Sequence, residues 1–352
     1  MLEMIKGNNA IAEAAIRAGA RLYAGYPITP STEIMEYLST RMKEVGGTFI
    51  QAESELAGIN IVMGGAACGV RSFTASSGPG ISLKQEGISA MSDENLACVV
   101  INVVRYGDGL GTLYSSQCDY LRETRGGGNG DYRTIVLCPE SIQEAVDLIV
   151  LAFELAEKYR CVVTLMTEGA LGQMMEPCNM PDFQTVKRQP WGLDGKYTNK
   201  KIGIFDRNSM EEAAAIKERH LEIARAEQRV EAGYLDDAEY VFVAYGLPGR
   251  STKGAVEQLR RDGYKAGFIR PITAWPFPTD VFKQLNPDLK GLITVEANAT
   301  GQLVEDVALT AKKVIVQNIP IYCLTYGYGI PAMKTIREDF EKIRLGQIKE
   351  VF

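Results

Sequence analysis

Histidine is nearly absent from this sequence: 352 residues contain one, His220. It lies in a stretch dense in Glu, Arg and Ala that reads as a solvated helix face, so proton chemistry is expected from other residue types. The seven cysteines, Cys68, Cys98, Cys118, Cys138, Cys161, Cys178 and Cys323, include no C-x-x-C pair. Several sit inside apolar strand-like runs such as Ala97-Cys98-Val99-Val100. They read as buried reduced thiols, and the chain alone is not expected to hold zinc or an iron–sulfur cluster. No apolar run approaches the ~20 residues that span a bilayer, and the start, Met1 to Lys6, lacks the basic-then-apolar layout of a signal peptide. A cytoplasmic location with no membrane association is therefore expected. Positive charge is also in deficit: a formal net charge of -6 and a pI near 5.2 argue against the basic stripe of a nucleic-acid-binding surface.

What is present is an ordinary globular composition, 46% hydrophobic and 23% charged, on a chain long enough for two domains of ~150 residues each. Helical and strand-like patterns alternate from residue 7 to about 166. Helices are predicted over 7–19, 31–43, 53–68, 81–91 and 141–158, and strands over 21–24, 48–50, 71–75, 96–104, 134–137 and 161–166. The glycine-rich segment 105–131 shows no clear period. Residues near 172–205 gather Pro, Asn and Gly as a linker would, and 209–232 read as a polar helical arm. A second alternation follows, with strands over 239–244, 265–270, 291–296 and 319–324, helices between them and a last helix over 332–344. The expected fold is α/β, with two doubly wound parallel-sheet domains: residues 1–175, a linker and arm over 176–237, and residues 238–352.

Motifs collect where predicted strands give way to helices, the place where open parallel sheets gather ligand-binding groups. They are Gly25-Tyr26-Pro27-Ile28-Thr29-Pro30, Gln51-Ala52-Glu53-Ser54-Glu55, and Ser76-Ser77-Gly78-Pro79-Gly80. Glu53 and Glu55 fall in the predicted first turn of a helix, where complementing the helix dipole is a sufficient role for Glu53. Behind them, Gly58, Gly64, Gly65 and Gly69 recur at a cost of roughly 1 kcal/mol each against Ala in a helix interior. Such glycines imply a close neighbour, either another helix or a flat ligand. Thr29 is suited to capping the next helix or to touching substrate, and Ser76 and Ser77 to capping or to lining a pocket.

Glu55 followed by the Gly64-Gly65-Ala66-Ala67-Cys68-Gly69 string resembles the pyrimidine-binding domain of thiamine-diphosphate enzymes. With the Tyr-Pro-Ile-Thr-Pro, Gln-Ala-Glu-Ser-Glu and Ser-Ser-Gly-Pro-Gly motifs, the sequence resembles the α subunit of 2-oxoacid:ferredoxin oxidoreductases over most of 5–170 and again over 240–307. The resemblance implies a thiamine-fold pyrimidine domain and a transketolase-C-like domain. It implies that Glu55 hydrogen-bonds N1′ of the aminopyrimidine and shares its proton, that Thr29 lies at the substrate carbonyl and carboxylate, and that Arg105 pairs with that carboxylate. Tyr26, Pro27, Ile28, Ser76, Ser77 and Gly78 would line the cofactor pocket, and no metal ligand falls on this chain.

The same resemblance places the diphosphate, Mg²⁺ and at least one [4Fe-4S] cluster on a partner β subunit. Further clusters belong to a ferredoxin-like δ subunit, with a γ subunit in some complexes, coenzyme A as co-substrate and ferredoxin as electron acceptor. The implied reaction is oxidative decarboxylation of a 2-oxoacid to acyl-CoA and CO₂. The Arg125 to Tyr132 run and Pro276-Phe277-Pro278 are most like the 2-oxoisovalerate members; members acting on 2-oxoglutarate, pyruvate or an aryl glyoxylate, a non-redox thiamine half-enzyme, and a non-catalytic scaffold are the alternatives. Two segments depart from the family pattern. Tyr106-Gly107-Asp108 stands where Gly-Gly-Pro is common, and Asn129 stands where a histidine is common.

Overall fold

The computed structural model describes residues 2–195, 210–315 and 318–352; parts of the predicted linker and of the start of the predicted arm lie outside them. The chain opens with β1 (Glu3–Lys6), α1 (Gly7–Arg17), β2 (Leu22–Gly25), α2 (Thr32–Glu44), β3 (Thr48–Gln51), α3 (Glu55–Ala67) and β4 (Ser72–Ser76). It continues through α4 (Pro79–Asp93), β5 (Cys98–Val104), α5 (Tyr120–Arg125), β6 (Ile135–Leu137), α6 (Ile142–Tyr159), β7 (Val162–Glu168), α7 (Gly169–Gln173) and β8 (Met175–Cys178). The second half holds α8 (Met210–Ala226), β9 (Val230–Gly233), β10 (Tyr240–Val243), α9 (Gly246–Arg261), β11 (Ala266–Pro271), β12 (Thr273–Trp275), β13 (Gly291–Glu296), α10 (Leu303–Val314), β14 (Ile321–Thr325) and α11 (Met333–Arg344).

The first sheet runs β12-β6-β7-β5-β4-β2-β3 and the second β14-β13-β10-β11-β9. Every strand of β2 to β7 lies parallel to its neighbours within that group, and β10, β11, β13 and β14 do likewise. The central strands β5 and β7 are buried along their whole lengths, as strands covered by helices on both faces must be. One face packs on α1, α2 and α6, where the fully buried alanines of α1 permit close helix approach. The other packs on α3 and α4 through Ile59, Val62, Ile81 and Ile88. A third apolar cluster joins Val104, Tyr120, Val136 and Met166 of the first half to Val241, Leu292 and Leu303 of the second, so the two sheets share a core. No helix of the described residues is long and apolar enough to cross a membrane.

Several elements depart from the sequence reading. Ser54, inside the predicted helix rather than before it, caps α3 by accepting from the Ala57 N–H at 3.1 Å, so Glu53 lies outside the helix and exposed while Glu55 is its first residue. The predicted linker contains β8, paired antiparallel with β1, an edge ribbon too short to announce itself. The arm expected over 209–232 stops being helical at Ala226, and Val230–Gly233 pairs antiparallel with β11. β12, short and interrupted by a bulge, leaves the second half to pair antiparallel with β6 of the first sheet. His220 does not lie on a solvated face: it is half-buried, with its ring 5.7 Å from that of Trp275 in an edge-on contact.

Candidate active site

The first sheet reverses its winding between β2 and β4: β3 lies on one side of β2, and β4, β5 and β7 follow on the other. A crevice at the carboxyl ends of such a pair is where doubly wound sheets bind ligands. The Gly25 to Pro30 turn leaves β2 there and the Ser76 to Gly80 turn leaves β4, so topology alone brings two of the three sequence motifs together. The third, Glu55, arrives because α3 crosses over β2 between β3 and β4.

Glu55 is buried at 7% exposure. Gly80 is what gives it room: a Cβ built there would lie 2.7 Å from Glu55 Oε1 and 2.2 Å from Ser76 Oγ. Among the described residues no side-chain hydrogen bond reaches the Glu55 carboxylate. Ser76 and Ser77 are fully buried, and neither hydroxyl has a hydrogen-bond partner among the described residues. They do not cap α4, whose cap residue is Gly78, at φ +48° and with its would-be Cβ 2.9 Å from Arg105 Nε. A side chain at Gly78 would be strained by the backbone and blocked by the arginine.

Arg105 follows β5 and is buried. Its Nη1 donates to the Thr29 carbonyl at 2.7 Å and its Nη2 to the Leu110 carbonyl at 2.5 Å, while Nε is a buried donor without a partner. The guanidinium thus ties the Tyr-Pro-Ile-Thr-Pro turn to the 106–114 loop. Thr29 is exposed and does not cap α2: the capping position is Ser31, whose hydroxyl donates to the Ile28 carbonyl at 2.8 Å. Tyr26 is exposed, and Pro27 and Ile28 are half-buried. Glu55, Ser76, Ser77, Gly78, Arg105 and Thr29 therefore line one crevice in the chain.

The glycines of α3 have different neighbours. A Cβ at Gly58 would lie 3.2 Å from Gly25 Cα, and one at Gly65 would lie 2.2 Å from Leu22 Cδ2, so both are required by close approach to β2. A Cβ at Gly64 would meet no atom of the described residues within 4 Å. Helix packing within the chain accounts for two of these glycines but not for Gly64.

Residues the sequence reading passed over also shape the crevice. Arg122 donates to the Gly78 carbonyl at 3.3 Å and to Ser82 Oγ at 3.0 Å, and pairs with Asp119 and Glu123. Burial pushes the Glu123 carboxyl upward, with Arg122 opposing. Gln117 reaches into the second half, donating to Glu168 Oε1 at 2.8 Å and to the Tyr245 carbonyl at 3.0 Å. Lys84 is fully buried beneath Glu55. Its signal was visible: it occupies the same helical stripe as Ile81, Ile88 and Met91, three residues after the first, four before the second and seven before the third.

Residues 13–235 match the family model described as pyruvate flavodoxin/ferredoxin oxidoreductase, thiamine diphosphate binding, and residues 238–330 match pyruvate:ferredoxin oxidoreductase core domain II. The chain belongs to the 2-oxoacid:ferredoxin oxidoreductase family. As a member it is a subunit of an oxidoreductase that acts on 2-oxoacids. It is 44% identical over 317 residues to the ketoisovalerate oxidoreductase subunit VorB of Methanothermobacter thermautotrophicus, covering 88% of this chain and 90% of that one. It is 36% identical over 341 residues to the 2-oxoglutarate synthase subunit KorA of Methanocaldococcus jannaschii, covering 89% and 92%. Among solved structures it resembles 2-oxoglutarate:ferredoxin oxidoreductase from Magnetococcus marinus with 2-oxoglutarate, coenzyme A and succinyl-CoA bound. The TM-score is 0.86 at 24% identity, over 97% of this chain and 65% of the other's length, which establishes the α/β fold.

Proposed function

We propose that this chain is the α subunit of a heteromeric 2-oxoacid:ferredoxin oxidoreductase that converts 2-oxoisovalerate or a similar branched-chain 2-oxoacid, with coenzyme A, to acyl-CoA and CO₂, reducing ferredoxin. The observation that carries the reading is the cluster itself: among the described residues, a buried carboxylate without a side-chain hydrogen bond, two orphaned buried hydroxyls and an orphaned guanidinium N–H along the Ser76 to Gly80 turn. Buried polar groups are normally paired, so such a cluster belongs to a ligand. The higher identity to VorB than to KorA favours the branched-chain substrate.

The residues present fit the aminopyrimidine half of thiamine diphosphate. A flat heterocycle rich in nitrogen needs an acidic partner, small donor–acceptor groups and freedom from side-chain volume, and Glu55, Ser76, Ser77 and Gly80 supply these. When bound, thiamine supplies the electron sink that loss of CO₂ from a 2-oxoacid requires. Glu55 holds and returns a proton at the ring nitrogen. Tyr26, Pro27, Ile28 and Gly78 bound the pocket, Gly78 by keeping the β4 turn tight against Arg105. Arg105 offers its positive charge and unpaired Nε–H to the substrate carboxylate while holding the Thr29 turn in place. Thr29, exposed and uncommitted to the helix, offers its hydroxyl at the substrate carbonyl.

This chain supplies half of the site. The diphosphate-binding residues, Mg²⁺ and [4Fe-4S] clusters belong to a β subunit and a ferredoxin-like δ subunit, with or without a γ subunit. Gly64, which nothing among the described residues requires, fits close approach by a partner. The test is the complex purified with its native partners and assayed for ferredoxin reduction on a panel of 2-oxoacids with coenzyme A. Highest kcat/KM on 2-oxoisovalerate is expected; preference for 2-oxoglutarate, pyruvate or an aryl glyoxylate would remove the branched-chain assignment, and turnover without ferredoxin the redox one.

A further inference from the structure

Lys84 is an unusual residue to find in the middle of α4. Its side chain is fully buried, and the one hydrogen bond it makes among the described residues goes to the backbone carbonyl of Glu55 at 3.2 Å. An ammonium carries three donors, and burying it with one acceptor is costly unless an opposite charge lies close. The charged groups that face it are few. From α3 comes the Glu55 carboxylate, which favours the protonated lysine. From β5 comes Cys98, whose thiol is itself pushed up to about 12 by burial and so is neutral at ordinary pH. Gly58, the other near neighbour on α3, would place a Cβ 3.4 Å from Lys84 Nζ, so the helix is built to admit the ammonium.

We propose that Lys84 is a positioning residue for Glu55: its buried ammonium fixes the first turn of α3 through the Glu55 carbonyl and supplies the counter-charge for the Glu55 carboxylate beneath the aminopyrimidine. The inference rests on the assignment of Glu55 to the pyrimidine half-site. It adds a second ionisable group that lies below the crevice, hydrogen-bonded to the backbone of the residue whose carboxylate receives the ring. Whatever removes the charge from Lys84 removes that counter-charge.

Burial, opposed by Glu55, brings the lysine down to about 8. The sign follows: the ammonium is present below that pH and disappears above it. The experiment is calorimetric titration of the assembled complex, stripped of cofactor, with thiamine diphosphate and Mg²⁺ across about pH 6 to 9, spanning the lysine's titration. Wild type is expected to lose affinity above about pH 8. Lys84→Met, of similar length and uncharged, should bind roughly tenfold more weakly at neutral pH and show no alkaline limb; tenfold corresponds to about 1.4 kcal/mol. Lys84→Gln keeps a donor without the charge and should behave as the Met variant does.

Wild-type affinity in either variant, or an alkaline limb that persists in both, would overturn the proposal, as would a wild-type complex with no such limb. Recovery of wild-type behaviour in Lys84→Gln alone would reduce the lysine to a hydrogen-bond donor and also overturn the counter-charge role. The two readings fail separately. Full turnover in Glu55→Gln sinks the half-site itself, whereas an inactive Glu55→Gln beside an unaffected Lys84→Met sinks only the role of Lys84.

Discussion

The seven-stranded sheet reverses its winding between β2 and β4 and the five-stranded sheet between β10 and β13, and the two resulting crevices are finished in opposite ways. The second is closed by the chain itself. Gln117, from the first half, accepts from the Ala297 N–H at 3.1 Å and donates to the Tyr245 carbonyl, while its own N–H bonds the Ala297 carbonyl at 2.7 Å. Beside it Glu296, fully buried, accepts from Thr294, Asn298 and the backbone N–H groups of Gln302, Leu303 and Val304 at 2.7–3.0 Å. The first crevice has the same topology, yet its carboxylate, Glu55, lacks a side-chain hydrogen bond among the described residues, and its serines are orphaned. The same architectural position has its polar groups saturated in one sheet and left open in the other.

The sharpest way to break this comparison is to exchange carboxylate for amide at the open crevice. Glu55→Gln preserves shape and removes the proton handle; the complex should assemble and lose on the order of 10³-fold or more in kcat, within the 10²–10⁴ range for a positioned acid–base group. Turnover near wild type, measured by 2-oxoacid-dependent ferredoxin reduction, would erase the distinction between the crevices. At the closed crevice the outcome should invert. Glu296→Ala orphans three buried N–H groups at about 1–3 kcal/mol each, before relaxation, so denaturant unfolding should show a loss on the order of 4 kcal/mol. KM and kcat per folded complex should stay close to wild type.

A smaller effect tests how far the closed crevice depends on a single proton. Burial lifts Glu168, at the end of β7, from an ordinary 4.5 to about 7, and its Oε2 has no partner. Because the folded chain binds this proton more tightly than the unfolded one, stability should fall as pH rises from about 4.5 to 7. Glu168→Gln keeps the oxygen that accepts from Gln117 and the Leu247 N–H, and it should abolish that slope. The stability gap between variant and wild type should then widen in the variant's favour by on the order of 1–3 kcal/mol toward neutral pH. A pH-independent difference would show that Glu168 is not the group that titrates.

Much of the first crevice was legible in the chain because its motifs are local. Three short runs, each at a strand end, needed only the rule that parallel sheets collect ligands there, and β2, β3, β4 and β5 lie within a few residues of their expected places. The illegible parts are those decided by distant partners. β12 is three residues long, and its membership of the first sheet depends on pairing with β6 more than a hundred residues earlier. β9 was hidden inside an apparently helical polar run because an edge strand needs a neighbour's hydrogen bonds more than a pattern of its own. Gln117 lies in a segment with no period, and its role exists only because two β-sheets face each other.

Sequence by itself determined the fold class, the family and the cluster of strand-end residues, since alternating periodicity and short spacings are properties of neighbouring positions. Which crevice is open was decided by tertiary structure. Glu55 and Glu296 are both glutamates beside glycine-rich segments, and only the packed molecule shows that the Glu296 carboxylate is enclosed by six donors and that of Glu55 by no side-chain donor among the described residues. Hydrogen-bond satisfaction belongs to the enclosure around a residue, and the enclosure here is assembled from residues far apart in the chain.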